Sequence, residues 1–370
     1  MTPPLVASIP TYAPLARRLL EATGWDPCPV ERRAFSDGET YQRLEVDVRG
    51  RDVVLVAGTP DESSTLLAYD LACALARYGA RRLTWVLPYF GCQTMERAAR
   101  PGEVVTAKTR ARLLSTVPPT PLGTRFLLLD LHAAGIPFYF ADDVTAFHLY
   151  AKDLALASAR AFAAGDDLVL AAPDAGRAKW VQSLADDLGC PFAFAAKRRL
   201  GDGRTRVLGH DGEVAGKVVV IYDDMIRTGS TLLGAAEAFR AAGAARCYAV
   251  ATHLVLPGDA CERLLASELL DGIAGTDSHP RAELARERGA VVRSVAGLFA
   301  AWLTARPDGL LAAQPDAGGS ALRPAGARTS AARSALGGAA DPEGLAQADG
   351  QRARHSVEEH PLPGAEGGEA

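Results

Sequence analysis

Two adjacent carboxylates and a short polar turn have types and spacing that could do chemistry. Asp223 and Asp224 follow the apolar run 218–222, and the Thr-Gly-Ser-Thr turn at 228–231 precedes a helix-like pattern. Carboxylates at the end of a buried strand can accept hydrogen bonds from a pair of vicinal hydroxyls. Backbone amides, hydroxyls and the helix dipole at such a turn suit a phosphate monoester. The stretch therefore predicts a site for a ribose 5-phosphate unit.

A simpler interpretation of the same stretch is an ordinary helix N-cap. Thr228 or Ser230 would cap the helix, and Asp223 would be hydrated. That interpretation does not explain why two acids end a hydrophobic strand. Gly229, by contrast, suits an anion site, because a residue without a side chain lets the backbone approach the ligand closely.

Further polar and ionisable groups follow the other apolar runs of the chain. They are Pro88 with the segment that follows it, Asp130, His132, Asp174, Lys197–Arg199, His253 and Thr276–Ser278. In sheets of parallel strands, ligands bind beyond the carboxyl ends of the strands. We therefore expect these groups to gather at one edge and to include functional residues.

Alternating strand-like and helix-like segments must position these groups. Apolar strand-like runs cover 52–58, 82–90, 125–133, 167–174, 191–199, 217–224, 246–253 and 272–278. Segments 63–80 and 229–244 between them have helical patterns that stop at glycine. Because several runs are apolar on both faces, they indicate parallel strands covered by helices. The prediction is an α/β fold with doubly wound, mainly parallel sheets.

The chain divides into three predicted parts. Residues 1–150 and 151–304 form two α/β domains, joined by a linker around 145–165 that is expected to be helical. Residues 305–370 contain no Phe, Tyr, Trp or Ile. A segment of that composition cannot bury enough apolar surface to offset its ordering entropy, which predicts a disordered C-terminal tail.

Composition excludes several classes of function. A net charge of −4 gives no electrostatic reason to expect nucleic acid or an anionic membrane as a partner. Six cysteines without a Cys-x-x-Cys pair favour reduced thiols in a cytosol. The N-terminus does not read as a signal peptide, and no apolar run reaches the roughly 18 residues of a membrane-spanning helix. We expect a cytoplasmic protein.

The stretch 218–232 resembles the phosphoribosyl-pyrophosphate (PRPP) binding motif shared by type I phosphoribosyltransferases and ribose-phosphate pyrophosphokinases. Five further segments match the second family in order and rough spacing: 35–39 (FSDGE), 88–108, 130–133 (DLHA), 173–176 (PDAG) and 196–199 (AKRR). The similarity to ribose-phosphate pyrophosphokinases covers about residues 5–300. Segments 138–144 and 276–280 are similar to the plant class II branch of that family.

The resemblance implies two type I phosphoribosyltransferase-like domains and a reaction. The diphosphoryl group of ATP moves to the C1 hydroxyl of ribose 5-phosphate, which releases AMP. The residues that match the family's ribose 5-phosphate site are Asp223, Asp224, Thr228, Gly229, Ser230 and Thr231. Lys197 and Arg199 would stabilise the transferring group from a mobile loop that runs to about residue 210.

The resemblance also implies Mg²⁺, a nucleotide site and a homo-oligomer. His132 and Asp174 would lie near Mg²⁺ and the polyphosphate. The nucleotide site would be shared between subunits and would comprise Phe35, Asp37, Glu39 and, on its opposite wall, Arg97.

Two departures from the family pattern bear on activity. Arg227 stands where the family loop usually has a third acid, and Thr94–Arg97 replaces the usual Arg-Gln-Asp-Arg run. The second change replaces two polar nucleotide contacts that the resemblance implies, and it predicts a relaxed or altered choice of donor. Resemblance to the plant branch also predicts that phosphate does not activate the protein and that ADP does not inhibit it.

Two other functions stay open. A phosphoribosyltransferase would consume PRPP with a nucleobase, but the N-terminal half would then be surplus. A non-catalytic, synthetase-like subunit is favoured by Arg227 and the altered nucleotide wall. It is disfavoured because Lys197, Arg199, His132 and Asp174 are all present.

Overall fold

The computed structural model describes residues 2–199 and 205–305, with the backbone alone for 196–199 and 205–208. The predicted C-terminal tail lies outside these residues, except for Ala305. Of the predicted catalytic loop, residues 200–204 also lie outside them.

The N-terminal half contains eight strands, three α-helices and two short 3-10 turns at Pro10–Tyr12 and Ile136–Tyr139. In chain order the elements are β1 (Leu5–Ser8), α1 (Ala13–Thr23), β2 (Asp26–Pro27), β3 (Val30–Ala34), β4 (Thr40–Leu44), β5 (Asp52–Val56), α2 (Glu62–Arg77), β6 (Arg82–Leu87), α3 (Thr106–Leu114), β7 (Thr124–Leu129) and β8 (Val144–Leu149).

The C-terminal half continues the alternation of helices and strands. Its elements are α4 (Lys152–Ala163), β9 (Leu168–Ala172), α5 (Ala178–Leu188), β10 (Phe192–Arg199), β11 (Thr205–Asp211), β12 (Val218–Ile226), α6 (Ser230–Ala241), β13 (Arg246–Leu254), α7 (Ala260–Leu265), β14 (Gly272–Thr276), α8 (Arg281–Glu287), β15 (Val291–Arg293) and α9 (Ala296–Ala305).

Each half is built on one large sheet. The first sheet is parallel throughout, in the order β2-β1-β5-β6-β7-β8. The second has the order β11-β10-β9-β12-β13-β14-β15, and its only antiparallel pairing among the described residues joins β10 to the edge strand β11. Strands β3 and β4 form a separate hairpin. The predicted α/β fold with mainly parallel sheets is confirmed.

The strand order of the second sheet creates a crevice at its centre. From β9 the chain builds outward through β10 and β11, then returns to β12 on the opposite side of β9. Loops after β9 and β12 therefore leave the sheet in opposite directions. Such a switch in strand order is where open α/β sheets bind ligands. Asp174 follows β9, and Asp223 and Asp224 lie in β12, so the predicted groups flank this crevice.

Each of the eight predicted strand segments contains a strand, but three local predictions were wrong. The expected helical linker begins as strand β8, whose Val144, Thr145 and Phe147 favour extended structure. Strand β12 does not end at the acids but runs on to Ile226. The expected loop up to residue 210 instead returns as β11, which pairs with β10 in antiparallel register.

The last helix, α9, packs into the core of the N-terminal half. Val295, Phe299 and Leu303 are buried in the same apolar cluster as α1 and the first sheet. The ring of Trp302 lies 5.0 Å from that of Phe147 on β8. The predicted domain limits stay a prediction, but this helix joins residues near 300 to the first core.

Polar contacts also join the two halves. Arg18 on α1 forms ion pairs with Asp277 at 2.9 Å and with Glu283 at 2.7 Å. The hydroxyl of Tyr12 donates to the carbonyl oxygen of Ser278. All six cysteines are free thiols. Within residues 2–199 and 205–305, no helix is long and apolar enough to cross a membrane.

Candidate functional site

A cavity of about 640 Å³ lies at the crevice of the second sheet, with walls from both halves. Most of the predicted site residues line it: Arg97, His132, Asp174, Asp223, Asp224, Thr228, Gly229 and Thr231. Arg177 and Arg227 line it as well. The fold thus brings residues from Arg97 to Thr231, far apart in the chain, to one surface.

The acid pair lies in an electrostatically crowded part of the cavity. Asp224 Oδ2 lies 2.7 Å from His132 Nδ1 and 2.5 Å from the Arg177 guanidinium. Burial alone would raise the pKa of Asp224, but His132 and Arg177 outweigh it and hold that pKa below its ordinary range. Burial and the charge of Asp224 raise the pKa of Asp223. A proton taken up by the pair therefore binds to Asp223 before it binds to Asp224.

Arg177 is a site residue that the sequence analysis missed. Its Nε lies 3.6 Å from Asp223 Oδ1, its Nη2 contacts Asp224, and the same Nη2 lies 2.9 Å from His132 Nδ1. The side chain is 22% exposed, so these contacts are shielded from bulk water. The matched segment 173–176 ends one residue before Arg177. The sequence did offer a signal for it, because an arginine in the segment after a predicted strand can reach the ligand edge of the sheet.

The polar turn begins helix α6 without a side-chain cap. Gly229 is the N-cap of α6 with φ of +77°, and no side chain makes a capping hydrogen bond. A Cβ on Gly229 would lie 2.5 Å from Leu264, so both conformation and space demand glycine. Thr228 and Ser230 contact each other through their hydroxyls at 3.3 Å. The simpler N-cap interpretation is therefore wrong, and the first amides of α6 are left for a ligand.

The first half supplies a second wall. The backbone of His132 is held in place, because its N–H donates to the side-chain oxygen of the buried Gln93 at 2.9 Å. Thr94, Glu96 and Arg97 follow Gln93 along the cavity, and Arg97 is 84% exposed with Glu96 as its ion-pair partner. This stretch, in which the sequence departs from the family pattern, is therefore part of the cavity.

Three predicted nucleotide residues lie elsewhere in the chain. Phe35, Asp37 and Glu39 occupy the turn of the β3–β4 hairpin, where they are exposed and do not line the cavity. The turn is ordered locally, since Asp37 Oδ1 accepts a hydrogen bond from the backbone N–H of Glu39. Lys197 and Arg199 lie at the end of β10, where only the backbone is described.

Several predicted strand-end groups form a buried cluster instead of lining the cavity. Asp130 accepts hydrogen bonds from the Thr252 hydroxyl and from the backbone N–H of Ala151. His253 contacts the carbonyl oxygen of Asp130 through Nε2 and the Ser278 hydroxyl through Nδ1. Burial lowers the pKa of His253 to about 4. This cluster joins the halves directly behind His132 and contains no group open to a ligand.

The cavity offers few ligands for a resident metal ion. Among the described residues, no group of three or more His, Cys, Asp or Glu side chains could hold one. His132 and Asp174 nevertheless face the same cavity. Mg²⁺ in phosphoryl-transfer sites is commonly bound by one or two protein groups together with substrate phosphates and water. The donor set fits a metal ion that arrives with a polyphosphate.

Comparisons with known proteins agree with this architecture. Residues 5–117 match the N-terminal domain of ribose phosphate pyrophosphokinase, and residues 142–264 match the phosphoribosyl transferase domain. A ribose-phosphate pyrophosphokinase of Fusobacterium nucleatum is 36% identical over 71% of this chain and 82% of its own. The chloroplastic ribose-phosphate pyrophosphokinase 2 of Oryza sativa is 35% identical over 68% of this chain and 62% of its own.

A solved structure extends the similarity to the fold. The phosphoribosylpyrophosphate synthetase of Mycobacterium smegmatis superposes with a TM-score of 0.72 at 30% identity, covering 82% of this chain and 98% of the other. The fold and the cavity define an α/β protein of the phosphoribosyltransferase type with an added N-terminal half. The chain belongs to the ribose-phosphate pyrophosphokinase family.

Proposed function

We propose that the chain is a ribose-phosphate diphosphokinase, which transfers the diphosphoryl group of ATP or another nucleoside triphosphate to ribose 5-phosphate. The products are PRPP and AMP. One observation carries the proposal: the acid pair and the polar turn of the second half face the same cavity as His132 and Arg97 of the first. A sugar phosphate fits the second half's wall, and a nucleotide fits the first half's wall.

The sugar phosphate would be held at two points. Carboxylates of Asp223 and Asp224 would accept hydrogen bonds from the ribose hydroxyls. The 5-phosphate would bind at the start of α6, where Thr228, Gly229, Ser230 and Thr231 offer amides and hydroxyls. Binding at both ends fixes the C1 hydroxyl relative to the nucleotide, and this positioning lowers the entropic part of the barrier.

Positive charge would then stabilise the transferring group. Strand β10 pairs with β9 up to Phe194, and its carboxyl end with Lys197 and Arg199 runs on past the end of β9, where it pairs with β11. Phosphoryl transfer is catalysed mainly by positioning and electrostatics, so cations at this edge have a direct role. Their predicted catalytic function rests on this backbone position and on the family resemblance.

Mg²⁺ is part of the proposal as a companion of the nucleotide. His132 and Asp174 would hold it at the cavity wall. When bound, the ion would neutralise charge on the polyphosphate. The protein's own contribution is to orient these two side chains, His132 through Gln93 and Asp224, and Asp174 through the backbone N–H of Gly176.

A nucleotide site shared between subunits would explain why the predicted nucleotide residues of the β3–β4 hairpin lie away from the cavity. Phe35 is 51% exposed, and Asp37 and Glu39 beside it are exposed as well. We propose that this turn contacts the nucleotide of a second copy, in a homo-oligomer. Nucleic acid and membranes are not proposed as partners, and the cytoplasmic location stays a prediction.

A non-catalytic, synthetase-like subunit is the second candidate. The observation that favours it is the Arg177 guanidinium against the two acids that would bind ribose. Arg227 adds a further cation to the same cavity. A plain phosphoribosyltransferase is less well supported, because the first half contributes His132 to the cavity and would have no role in that reaction.

AMP release from the purified chain tests the proposal. The assay contains ATP, Mg²⁺ and ribose 5-phosphate, with Lys197→Ala as the comparison variant. We expect AMP formation that depends on ribose 5-phosphate and falls by about 100-fold or more in the variant. Absence of AMP with ATP, GTP, CTP and dATP would favour the non-catalytic subunit.

The same assay examines the choice of donor. With Thr94–Arg97 on the cavity wall, we expect more than one triphosphate to support turnover. We also expect phosphate and ADP to have little effect at a second site. Turnover with ATP alone, together with strong inhibition by ADP at a site distinct from the cavity, would contradict these expectations.

A further inference from the structure

The two acids of the cavity differ in how far the protein already pairs them. Asp224 Oδ2 lies 2.5 Å from Arg177 Nη2 and 2.7 Å from His132 Nδ1, and the Asp224 side chain is only 8% exposed. The side chain of Asp223 is 19% exposed, and its 3.6 Å contact with Arg177 Nε is too long for a hydrogen bond. The described residues offer Asp223 a single donor, the backbone N–H of Asp224. Asp224 is therefore paired within the protein, whereas Asp223 is open to a ligand.

The pairing of each acid decides what a missing sugar hydroxyl costs. A site in which two buried carboxylates both depend on sugar hydroxyls rejects a sugar that lacks one, because a carboxylate is left unpaired. Here the Arg177 guanidinium already donates to Asp224. A hydroxyl can still bind the other oxygen of Asp224, since a carboxylate accepts about four hydrogen bonds. Without that hydroxyl Asp224 keeps its partner, so only the hydroxyl that faces Asp223 is essential.

The position of Arg177 in the fold allows it to stay on Asp224 when a sugar binds. It is the N-cap residue of α5, and its carbonyl oxygen accepts a hydrogen bond from the backbone N–H of Val181 in that helix. Strand β9, which leads into this helix, is the sheet neighbour of β12, which carries the acids. Withdrawal of the guanidinium would take the partner from a carboxylate with little access to solvent, which is costly. A hydroxyl that binds beside the guanidinium avoids this cost.

We propose that Arg177 is a specificity-determining residue, which lets the cavity accept a pentose 5-phosphate that lacks one of the two vicinal hydroxyls of ribose, at C2 or at C3. The inference rests on the proposed function, because it takes the ligand of the acid pair to be a sugar phosphate. The ligand class is then the pentose 5-phosphates that keep the hydroxyl facing Asp223. In each of them the 5-phosphate binds at the turn around Gly229, so the missing hydroxyl is the one difference from ribose 5-phosphate.

Isothermal titration calorimetry of the full-length protein without nucleotide measures this tolerance. Ribose 5-phosphate, 2-deoxyribose 5-phosphate and 3-deoxyribose 5-phosphate are compared, because either hydroxyl could be the one that faces Asp223. We expect one deoxy sugar to bind within about tenfold of ribose 5-phosphate and the other to bind about 100-fold or more weakly. Rejection of both deoxy sugars, or equal acceptance of both, would overturn the proposal.

Arg177→Met should remove the tolerance. In this variant Asp224 depends on the sugar for its donor, so the accepted deoxy sugar should bind about 100-fold or more weakly than ribose 5-phosphate. General damage to the site would weaken all three sugars by the same factor, so the ratio of their dissociation constants is the decisive quantity. A ratio unchanged from the wild type would overturn the proposal. A greater tolerance in Arg177→Met would also overturn it, since the guanidinium would then compete with the hydroxyls.

Arg240→Met is the matched control. Arg240 pairs with Asp271 Oδ2 at 2.5 Å, much as Arg177 pairs with Asp224, but it does not line the cavity. We expect this variant to keep the wild-type ratio of dissociation constants for the three sugars. A change in Arg240→Met as large as that in Arg177→Met would contradict the assignment of Arg177.

AMP release with ATP and Mg²⁺ separates this inference from the proposed function. AMP formation from ribose 5-phosphate, together with calorimetric rejection of both deoxy sugars, would retain the proposed function and overturn the inference. The expected pattern of binding without any AMP release would instead retain the inference and reject the proposed catalytic function. Failure of ribose 5-phosphate itself to bind would overturn both.

Discussion

Two histidines at the same edge of the molecule show how a structural polar cluster differs from a functional one. Each ring nitrogen of His253 has a hydrogen-bond partner, with a carbonyl oxygen at Nε2 and the Ser278 hydroxyl at Nδ1. Its tautomer is therefore fixed. His132, in the cavity, has two charged neighbours, Asp224 and Arg177, at one nitrogen and none among the described residues at the other.

The difference follows from the charges around the two rings. The cluster around His253 is fully buried, and the carboxylate of Asp130 has neutral donors as its partners, so burial raises its pKa to about 6. The cluster around His132 contains a guanidinium and two carboxylates at a cavity wall. A closed network stabilises one conformation, whereas the charged groups at the cavity wall stay accessible to a ligand.

The largest expected effect comes from breaking the cavity cluster. Asp224→Asn removes the charge that holds Arg177 and His132 and that would orient the ribose. We expect ribose-5-phosphate-dependent AMP release to fall by about 100-fold or more, measured by chromatography of the nucleotides. Asp166→Asn, at a 66% exposed aspartate outside the cavity, should leave the rate within about twofold. Equal rates for the two variants would contradict the assignment of Asp224.

Breaking the buried cluster should affect stability. His253→Ala removes the ring's hydrogen bonds to the Asp130 carbonyl and the Ser278 hydroxyl and opens a void. We expect the free energy of unfolding to fall by about 3 kcal/mol, measured by urea denaturation at pH 7. The same substitution at the exposed His210 should cost less than about 0.5 kcal/mol. A cost for His253→Ala as small as that would mean the cluster is not structural.

The pH dependence sharpens the same comparison. Because burial lowers the pKa of His253 to about 4, the folded protein keeps the ring neutral while the unfolded chain protonates it near its ordinary pKa. The stabilising contribution of neutral His253 is present above about pH 6.5 and is lost as the pH falls towards 4. The cost of His253→Ala should therefore shrink by about 2 kcal/mol between pH 7 and pH 5. A constant cost would show that the pKa of His253 is the same in the folded and unfolded states.

The smallest effect is expected from the exposed cation of the cavity. Arg227 lines the cavity, and no ion pair links it to another described residue. Arg227→Ala should raise the KM for ribose 5-phosphate about fivefold, since a solvent-screened charge contributes about 1 kcal/mol. Arg263→Ala, at an exposed arginine of α7, is the control and should leave KM unchanged. A lower KM in Arg227→Ala would indicate that the cation hinders the substrate.

Local sequence predicted the parts of the site that depend on neighbours in the chain. Asp223, Asp224 and the turn at Gly229 were recognised because strand, acids, glycine and helix follow one another directly. The doubly wound fold was recognised for the same reason, from apolar runs that alternate with helical patterns. His132 and Asp174 also line the cavity as expected, since both follow parallel strands.

What the sequence did not predict depends on contacts between distant segments. Arg177 contacts Asp223 and Asp224 because β9 and β12 are neighbours in the sheet, which the order of the runs does not reveal. His253 was grouped with the functional strand ends, but the first half covers it. Periodicity locates a strand end without telling whether another part of the chain buries it.

The return of α9 to the first core makes the two halves interdependent. A fragment that ended at residue 150 would lack the apolar face supplied by Val295, Phe299 and Leu303 and would expose the partners of those side chains on α1 and the first sheet. A chain shortened before residue 295 would carry the same defect, although all the cavity residues would remain. The N-terminal half can therefore complete its fold only after the last helix has been synthesised.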